Sequence, residues 1–289
     1  MAPRFGIFPV PEADAADALV DQVLLADRLG LDLVGIQDHP YQRRFLDTWT
    51  LLSWLAARTE HVHLFPDVAC LPLRHPALLA KAAASLDRLS DGRVELGLGA
   101  GAFWDGIAAW GGPRRTPKES VDALEEAIEV IRHVWAGERG IRFDGEHYRL
   151  DGAHAGPPPA HDIGIWLGAY GPRMMRVVGR LADGWVPSLP NLPLDEVLPR
   201  HAAIDDAARA ADRDPAAISR IANVKGAIVD GDVTAWLHGP VEHWVQELTR
   251  VLTELRFDGV VLWVDHEDAL GQTERFAREV VPLVREAVA

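Results

Sequence analysis

One cysteine, Cys70, stands in the whole chain, so no internal disulfide can form and stability must come from a packed core. Lysine is nearly as scarce: Lys81, Lys118 and Lys225 are the only three among 29 basic residues, and arginine carries the rest. Acidic residues outnumber basic ones, 43 to 29, for a net charge of −14. Nucleic-acid binding relies on a strong positive field, so this balance excludes a broad polyanion-binding face but leaves room for a local pocket holding one small anion. No apolar run approaches the ~20 residues that span a bilayer. No charged segment followed by a long apolar stretch opens the chain, so no secretion leader is expected, and with the single thiol this points to a reducing cytoplasm. Internal repeats, low-complexity tracts and linkers are also missing; Gly156-Pro157-Pro158-Pro159 reads as a stiff loop.

What is present is a chain of 289 residues, 48% hydrophobic and 25% charged, long enough to bury one large core. Short β-rich runs alternate with helical patterns, the order of parallel βα units. Strands are expected at 4–9, 32–37, 62–68, 94–99, 163–169, 184–188, 221–229 and 259–264. Apolar residues at helical spacing mark the segments between them: Leu19, Val23 and Ala26 before a stop at Gly30, then 48–58, then 76–89 opened by Pro76. Val121, Leu124, Ile128, Ile131 and Trp135 line a fourth helix, and further helices are expected at 172–181, about 194–211 and 241–255. A last helix carries Phe276, Val280 and Val284, with Pro282 expected to kink it. A small hairpin is expected around 143–150. Eight strands and eight helices are the count of a closed (β/α)8 TIM barrel, here a single domain over 1–289, although an open doubly wound sheet has the same local signals.

In a barrel the loops after the strands carry the chemistry. Ile36-Gln37-Asp38-His39-Pro40 puts an acid and an imidazole at the end of the second strand, and imidazole titrates near neutrality. Standing alone, the pair reads more simply as a turn or cap residue beside a satisfied polar one. The stretch from Asp67 through Val68, Ala69, Cys70 and Leu71 to Arg74-His75-Pro76 is stiffened by two prolines, and its small Ala69 would let backbone approach a flat ligand. Gly97, Gly99 and Gly101 end the fourth strand with GxGxG spacing, which is not the dinucleotide fingerprint but allows close contact with a planar ring. Gly168, Ala169, Tyr170, Gly171, Pro172 and Arg173 form a turn into a helix, whose exposed N-terminal amides suit a phosphate, with Arg173 as added charge. A metal-dependent hydrolase could draw on His61 and His63, or on Asp265, His266, Glu267 and Asp268. The two histidines lie at the wrong end of their strand, however, and Asp265 and Asp268 read more simply as caps of the last helix.

Taken together, Asp38-His39-Pro40, Leu71-Pro72-Leu73-Arg74-His75-Pro76, the Leu86–Arg93 stretch Leu-Asp-Arg-Leu-Ser-Asp-Gly-Arg and Gly97-Leu98-Gly99-Ala100-Gly101 resemble the bacterial-luciferase-like family of flavin- and deazaflavin-dependent oxidoreductases. The resemblance resumes at 143–150, 165–173 and Ala182-Asp183-Gly184-Trp185. It implies a coenzyme lying across the mouth of the barrel, with Asp38, Leu71, Gly99 and Gly101 near its ring or chain. It also implies a non-proline cis bond at Val68–Ala69 whose bulge backs the ring, and Ala169, Tyr170, Gly171 and Pro172 around the phosphate. His39 matches a position with a catalytic role, while Ala102 stands where some members carry a carboxylate, so the resemblance names no proton donor. The short chain is more similar to the deazaflavin branch, and its arginine bias suits a GC-rich genome of the kind in which that coenzyme is common. Coenzyme F420 is therefore the expected cofactor and FMN the alternative. Arg43, Arg44, Arg114, Arg115 and Lys118 are candidates to meet an anionic coenzyme tail, or are ordinary solvated charges. The implied activity is hydride transfer between coenzyme F420 and a small organic substrate. FMN-dependent oxygenation and a non-catalytic flavin-binding barrel are the other readings. A small-molecule substrate, no nucleic-acid or membrane partner, and room for a homodimer complete the expectation.

Overall fold

The computed structural model describes residues 2–289. Its first half runs β1 (Arg4–Ile7), α1 (Ala16–Arg28), β2 (Leu33–Ile36), α2 (Thr48–Ala56), β3 (His63–Pro66), β4 (Ala69–Cys70), α3 (Pro76–Leu89), β5 (Leu96–Gly99), α4 (Trp104–Ala109) and α5 (Pro117–Trp135). A hairpin of β6 (Arg139–Asp144) and β7 (Arg149–His154) follows, then β8 (Ile165–Leu167), α6 (Pro172–Leu181), β9 (Gly184–Trp185) and α7 (Val197–Ala210). The chain ends with β10 (Ser219–Ile228), β11 (His238–Gly239), α8 (Val241–Thr253), β12 (Gly259–Val264), α9 (Ala269–Arg275) and α10 (Val281–Ala287).

Parallel pairing runs in the order β3-β2-β1-β12-β10-β9-β8-β5-β4. β3 and β4 are two lengths of one barrel strand, interrupted at Asp67 and Val68. The sheet closes because β4 pairs with β5 while β3 reaches the segment just before β5: the Leu64 N–H donates to the Arg93 carbonyl at 2.8 Å, and the Glu95 N–H to the Leu64 carbonyl at 3.1 Å. This is the closed eight-position barrel, not the open sheet that has the same periodicity. Its interior is filled by Phe8, Leu33, Phe65, Trp166, Val186, Ile221 and Val261, packed apart from the larger core between strands and helices. β5 supplies no side chain to that layer, because Gly97 is the residue paired with Trp166.

Three elements differ from expectation. α4 forms inside the 99–117 connection, where no periodicity marks a six-residue helix. The hairpin is longer than 143–150, extending from Arg139 to His154. The kink expected at Pro282 takes the form of a π turn over Phe276–Val280: the Val281 N–H reaches back five residues to the Phe276 carbonyl, and Pro282 is the second residue of α10, in the first turn, where a missing N–H costs little. No helix among the described residues is long and apolar enough to cross a membrane.

The N-terminal end of the barrel is clasped by Arg93. Its Nε donates to the Ser90 carbonyl at 2.9 Å and its two terminal nitrogens to the carbonyls of Val62, Ala56 and Thr59 and to Thr59 Oγ1 at 2.9–3.0 Å. One planar fork thus ties the end of α2, the start of β3 and the end of α3. Replacing Arg93 with alanine strands these carbonyls, and the expected loss is about 3 kcal/mol of unfolding free energy. Arg93→Lys should recover only part of it. Urea denaturation at constant m-value reads the difference, and an unchanged midpoint in the alanine variant would mean that the clasp is not stabilising.

Candidate active site

The strand ends on the other face of the barrel converge on a cleft of about 460 Å³. Asp38 and His39 enter it after β2, Val68 and Ala69 at the β3–β4 break, Gly99 and Gly101 after β5, and Ala169, Tyr170 and Gly171 after β8. Asp67, Cys70, Tyr41, Ser188 and the start of α5 complete the wall. Nine expected site residues therefore share one cavity. Leu71, Pro172 and Arg173 do not line it: Leu71 is packed into the core at 1% exposure, and Pro172 is the first residue of α6.

The wall is built around Val68. The Asp67 N–H still bonds to the Ile36 carbonyl on β2, and Ala69 is already in register with Leu98 on β5, so Val68 is the residue left out of the ladder. The non-proline cis bond accordingly falls at Asp67–Val68, one position earlier than the expected Val68–Ala69. Val68 fills the space that three glycines leave empty. A Cβ on Gly99 would stand 2.7 Å from Val68 Cγ2, one on Gly168 3.0 Å from the same atom, and one on Gly97 3.2 Å from Val68 Cγ1. The missing side chains at Gly99 and Gly168 thus make room first for this valine, whereas a Cβ on Gly97 would run first into the Pro66 carbonyl oxygen and only then touch Val68. Gly101 has a separate reason: its φ of +98° suits glycine, and a Cβ there would press on Pro72 and Trp104.

Asp38 is 2% exposed, and its carboxylate is fully engaged. It accepts from the Cys70 N–H at 2.8 Å and from the Arg74 fork at 2.7 Å through both oxygens. Arg74 also bonds Asp47 at 2.8 Å, and Asp47 caps α2 through the Thr50 N–H. Asp38 therefore holds the wall in place instead of meeting a ring with a free carboxylate. Burial works against the Arg74 charge, but the hydrogen bonds and charges of Asp38 and Asp47 outweigh it and push that guanidinium further up.

His39 Nδ1 lies 2.7 Å from the Tyr41 hydroxyl. Burial lowers the imidazole below its ordinary value, opposed by the Asp38 charge, so the neutral ring dominates at neutral pH. Burial first, then the charges of Cys70 and Asp38, push the Tyr41 phenol up to about 12. Burial, aided by Asp38, likewise pushes the Cys70 thiol up to about 12, which removes it as a nucleophile.

Sequence reasoning missed Asp67, Asn223, Ser188 and Arg200. Asp67 is 7% exposed, and burial pushes its carboxyl up to about 7, opposed by a hydrogen bond from Asn223. The one available signal was a carboxylate inside an otherwise apolar strand, costly to bury without a partner. Ser188 donates its N–H to the Tyr170 hydroxyl at 2.9 Å, and the Arg200 guanidinium donates to the Tyr170 carbonyl; together they brace the turn before α6.

Charges expected to meet an anion are mostly paired elsewhere. Arg173 turns to Asp122, Glu125 and the Lys118 carbonyl. Arg44 pairs with Glu12 at 2.8 Å, Arg114 with Asp105 at 2.5 Å and Lys118 with Asp122 at 2.7 Å, while Arg115 lies 5.6 Å over the Tyr148 ring. Arg43 is exposed with no ion-pair partner among the described residues. The helix end itself is open: Gly171 caps α6 without a side chain, and a Cβ on it would meet nothing within 4 Å. His63 starts β3 at the opposite end, edge-on to His161 at 6.3 Å, and His61 is exposed beside it. Asp268 caps α9 as expected, but Asp265 pairs with Lys225 at 3.0 Å and His238 at 3.3 Å.

A parallel eight-position barrel with a break in its third strand and a cleft over the C-terminal strand ends defines a barrel enzyme, for that is the face on which such barrels carry their chemistry. The model of the luciferase-like monooxygenase family matches residues 2–272. The chain belongs to that family of flavin- and F420-dependent oxidoreductases. Curated relatives include the F420-dependent glucose-6-phosphate dehydrogenase of Nakamurella multipartita, 35% identical over 208 residues, 68% of this chain and 60% of that protein. The corresponding enzyme of Intrasporangium calvum is 35% identical over 237 residues, 78% of this chain and 69% of that protein. The chain thus spans between 60% and 69% of the length of these two relatives. Among solved structures, an F420-dependent secondary alcohol dehydrogenase in complex with an F420-acetone adduct superposes with a TM-score of 0.87 at 19% identity, over 98% of this chain and 99% of that one. The F420-dependent tetrahydromethanopterin reductase of Methanopyrus kandleri superposes at 0.84 and 18% identity, over the same shares of both chains. At these identities the superpositions establish the fold.

The glycine cradle can be tested by a double-mutant cycle. Gly99→Ala should destabilise the protein by about 1–3 kcal/mol, because its Cβ overpacks against Val68. In a Val68→Ala background the same change should cost less than about 1 kcal/mol, since its next neighbour, the Ala69 carbonyl, lies at 3.5 Å. Chemical unfolding of the four proteins reads the coupling, and an equal cost in both backgrounds would show that the contact does not exist.

Proposed function

We propose that this protein transfers hydride between coenzyme F420 and a small organic substrate in the cleft above β3–β5 and β8. The observation that carries the reading is the pairing of a braced apolar wall, Val68 against three glycines, with an open and uncapped helix end in the same cleft. The relatives at 35% identity support F420 over FMN as the coenzyme.

The residues present fit such a coenzyme. Val68 and Ala69 offer a flat, side-chain-poor surface for a ring, with Gly99 and Gly101 beside it. Ala169, Tyr170 and Gly171 lead into α6, whose first-turn amides at Arg173 and Met174 have no side-chain cap and suit a phosphate. When bound, a deazaflavin supplies a carbon centre that exchanges hydride and reacts poorly with oxygen. The protein supplies orientation, exclusion of water and proton management. With Nδ1 bonded to Tyr41, Nε2 of His39 is the nitrogen left for a substrate proton. Its neutral form accepts that proton when an alcohol is oxidised, and its cation returns it when a carbonyl is reduced.

Anaerobic titration with F420 and with FMN, read by absorbance and fluorescence quenching, tests the coenzyme. Tight FMN binding with oxygen-dependent product formation would replace this reading with an oxygenase. His39→Asn should lower turnover about 100-fold or more and leave coenzyme affinity within a few-fold. The base is active above its own pKa, which burial has lowered, so the acid limb of the turnover profile should lie below the ordinary imidazole range and disappear in the variant. Normal turnover in His39→Asn would make the residue structural.

A further inference from the structure

The barrel interior repeats every second residue along each strand. Two positions beyond the apolar layer of Phe65, Val186 and Ile221 come Asp67, Ser188 and Asn223. The layer above the apolar plug is therefore polar, and Asp67 and Ser188 line the cleft. Asn223 Nδ2 donates to Ser188 Oγ at 3.3 Å, and the two residues bridge their strands. Asp67 Oδ2 and Asn223 Oδ1 have no donor among the described residues, although both atoms are buried and the residues are only 7% and 3% exposed. Gly35 makes room for the carboxyl, since a Cβ there would stand 2.9 Å from Asp67 Oδ2. Buried acceptors without donors are costly, so a ligand that brings hydrogen-bond donors gains by meeting them.

We propose that Asp67 and Ser188, with Asn223 behind them bonded to Ser188, form a substrate subsite that accepts hydrogen bonds from a hydroxyl, selecting neutral hydroxy compounds over phosphorylated or carboxylated ones. This rests on the oxidoreductase reading above and names its substrate class. Anions are disfavoured twice: a carboxyl stands on the floor, and no lysine or arginine lines the cleft. The subsite differs from the His39–Tyr41 pair in role. It touches and orients substrate, while His39 carries the proton of the reacting group.

Burial pushes the Asp67 carboxyl up to about 7, so its acceptor strength changes around neutral pH. The titratable and charged groups on the elements around it are Asp38, bound to Arg74; His39, bound to Tyr41; Cys70 on β4; and Lys225 on β10, bound to Asp265. Burial and the Asn223 bond set its ionisation. The ionised form is the acceptor, so binding of a neutral hydroxyl compound should tighten as pH rises through about 7.

The test uses the full chain, with and without coenzyme, and the probes glycerol and glucose against glycerol 3-phosphate and glucose 6-phosphate. Binding is measured by calorimetry and ligand-observed NMR from pH 6 to 8, and the Asp67 carboxyl band is followed by infrared difference spectroscopy. The expected result is about tenfold or greater preference for the neutral member of each pair. A neutral probe should also perturb the Asp67 band, and Asp67→Asn should remove both the pH dependence and most of the preference while coenzyme affinity stays within a few-fold. Equal binding of neutral and anionic probes, an unchanged preference in Asp67→Asn, or loss of coenzyme affinity in that variant would each overturn the subsite. The infrared titration of the unaltered protein decides the case if Asp67→Asn does not fold: a carboxyl band indifferent to the neutral probes overturns it. Failure of both coenzymes to bind, with the probes behaving as stated, would instead sink the F420 reading and leave the subsite standing.

Discussion

The packing of Val68 between Gly97, Gly99 and Gly168 is the contact on which the mouth of this barrel depends. It requires that the third barrel strand leave its ladder for one residue. Because it does, β3 pairs below with β2 and with the segment before β5, while β4 pairs above with β5. The same break sets Asp67 inside the barrel and turns the Cys70 N–H toward Asp38. Any side chain larger than hydrogen at Gly99 would push on the valine and hence on the whole wall. A close-packed interior transmits such a change instead of absorbing it.

Two buried acids near this wall have opposite surroundings and hence opposite uses. Asp38 is met by a bidentate arginine and a backbone amide, so its charge is compensated and its position fixed. Asp67 has only an amide side chain nearby, so burial acts on it almost unopposed. A carboxyl in that state binds or exchanges a proton near neutrality, whereas a paired one serves as architecture. Burial also keeps Cys70 and Tyr41 protonated, so the ionisable chemistry of the cleft narrows to His39 and Asp67. The surrounding charge agrees: with a net charge of −14, most of the candidate cations paired and no lysine or arginine lining the cleft, the attraction for an anion inside it comes from the end of α6.

The residues alone determined the eight alternating units and which strand ends meet at the cleft, nine of whose lining residues were expected. The expected strand ends at 37, 99 and 169 fall within two residues of those observed at Ile36, Gly99 and Leu167, because polar or glycine-rich turns close the apolar runs, and such local signals need no partner. Helices with strong caps or proline starts, such as α3 and α5, were legible for the same reason. What only the tertiary structure decided was closure, because pairing between β3 and the segment at Val94 joins residues that no periodicity relates. It also decided the destination of long side chains. Arg173 and Asp265 stand at the expected strand and helix ends, yet their heads reach Asp122 and Lys225 on other elements. The state of Asp67 was likewise decided only when folding enclosed it, since the ionisation of a carboxyl depends on the water and partners that a closed barrel removes.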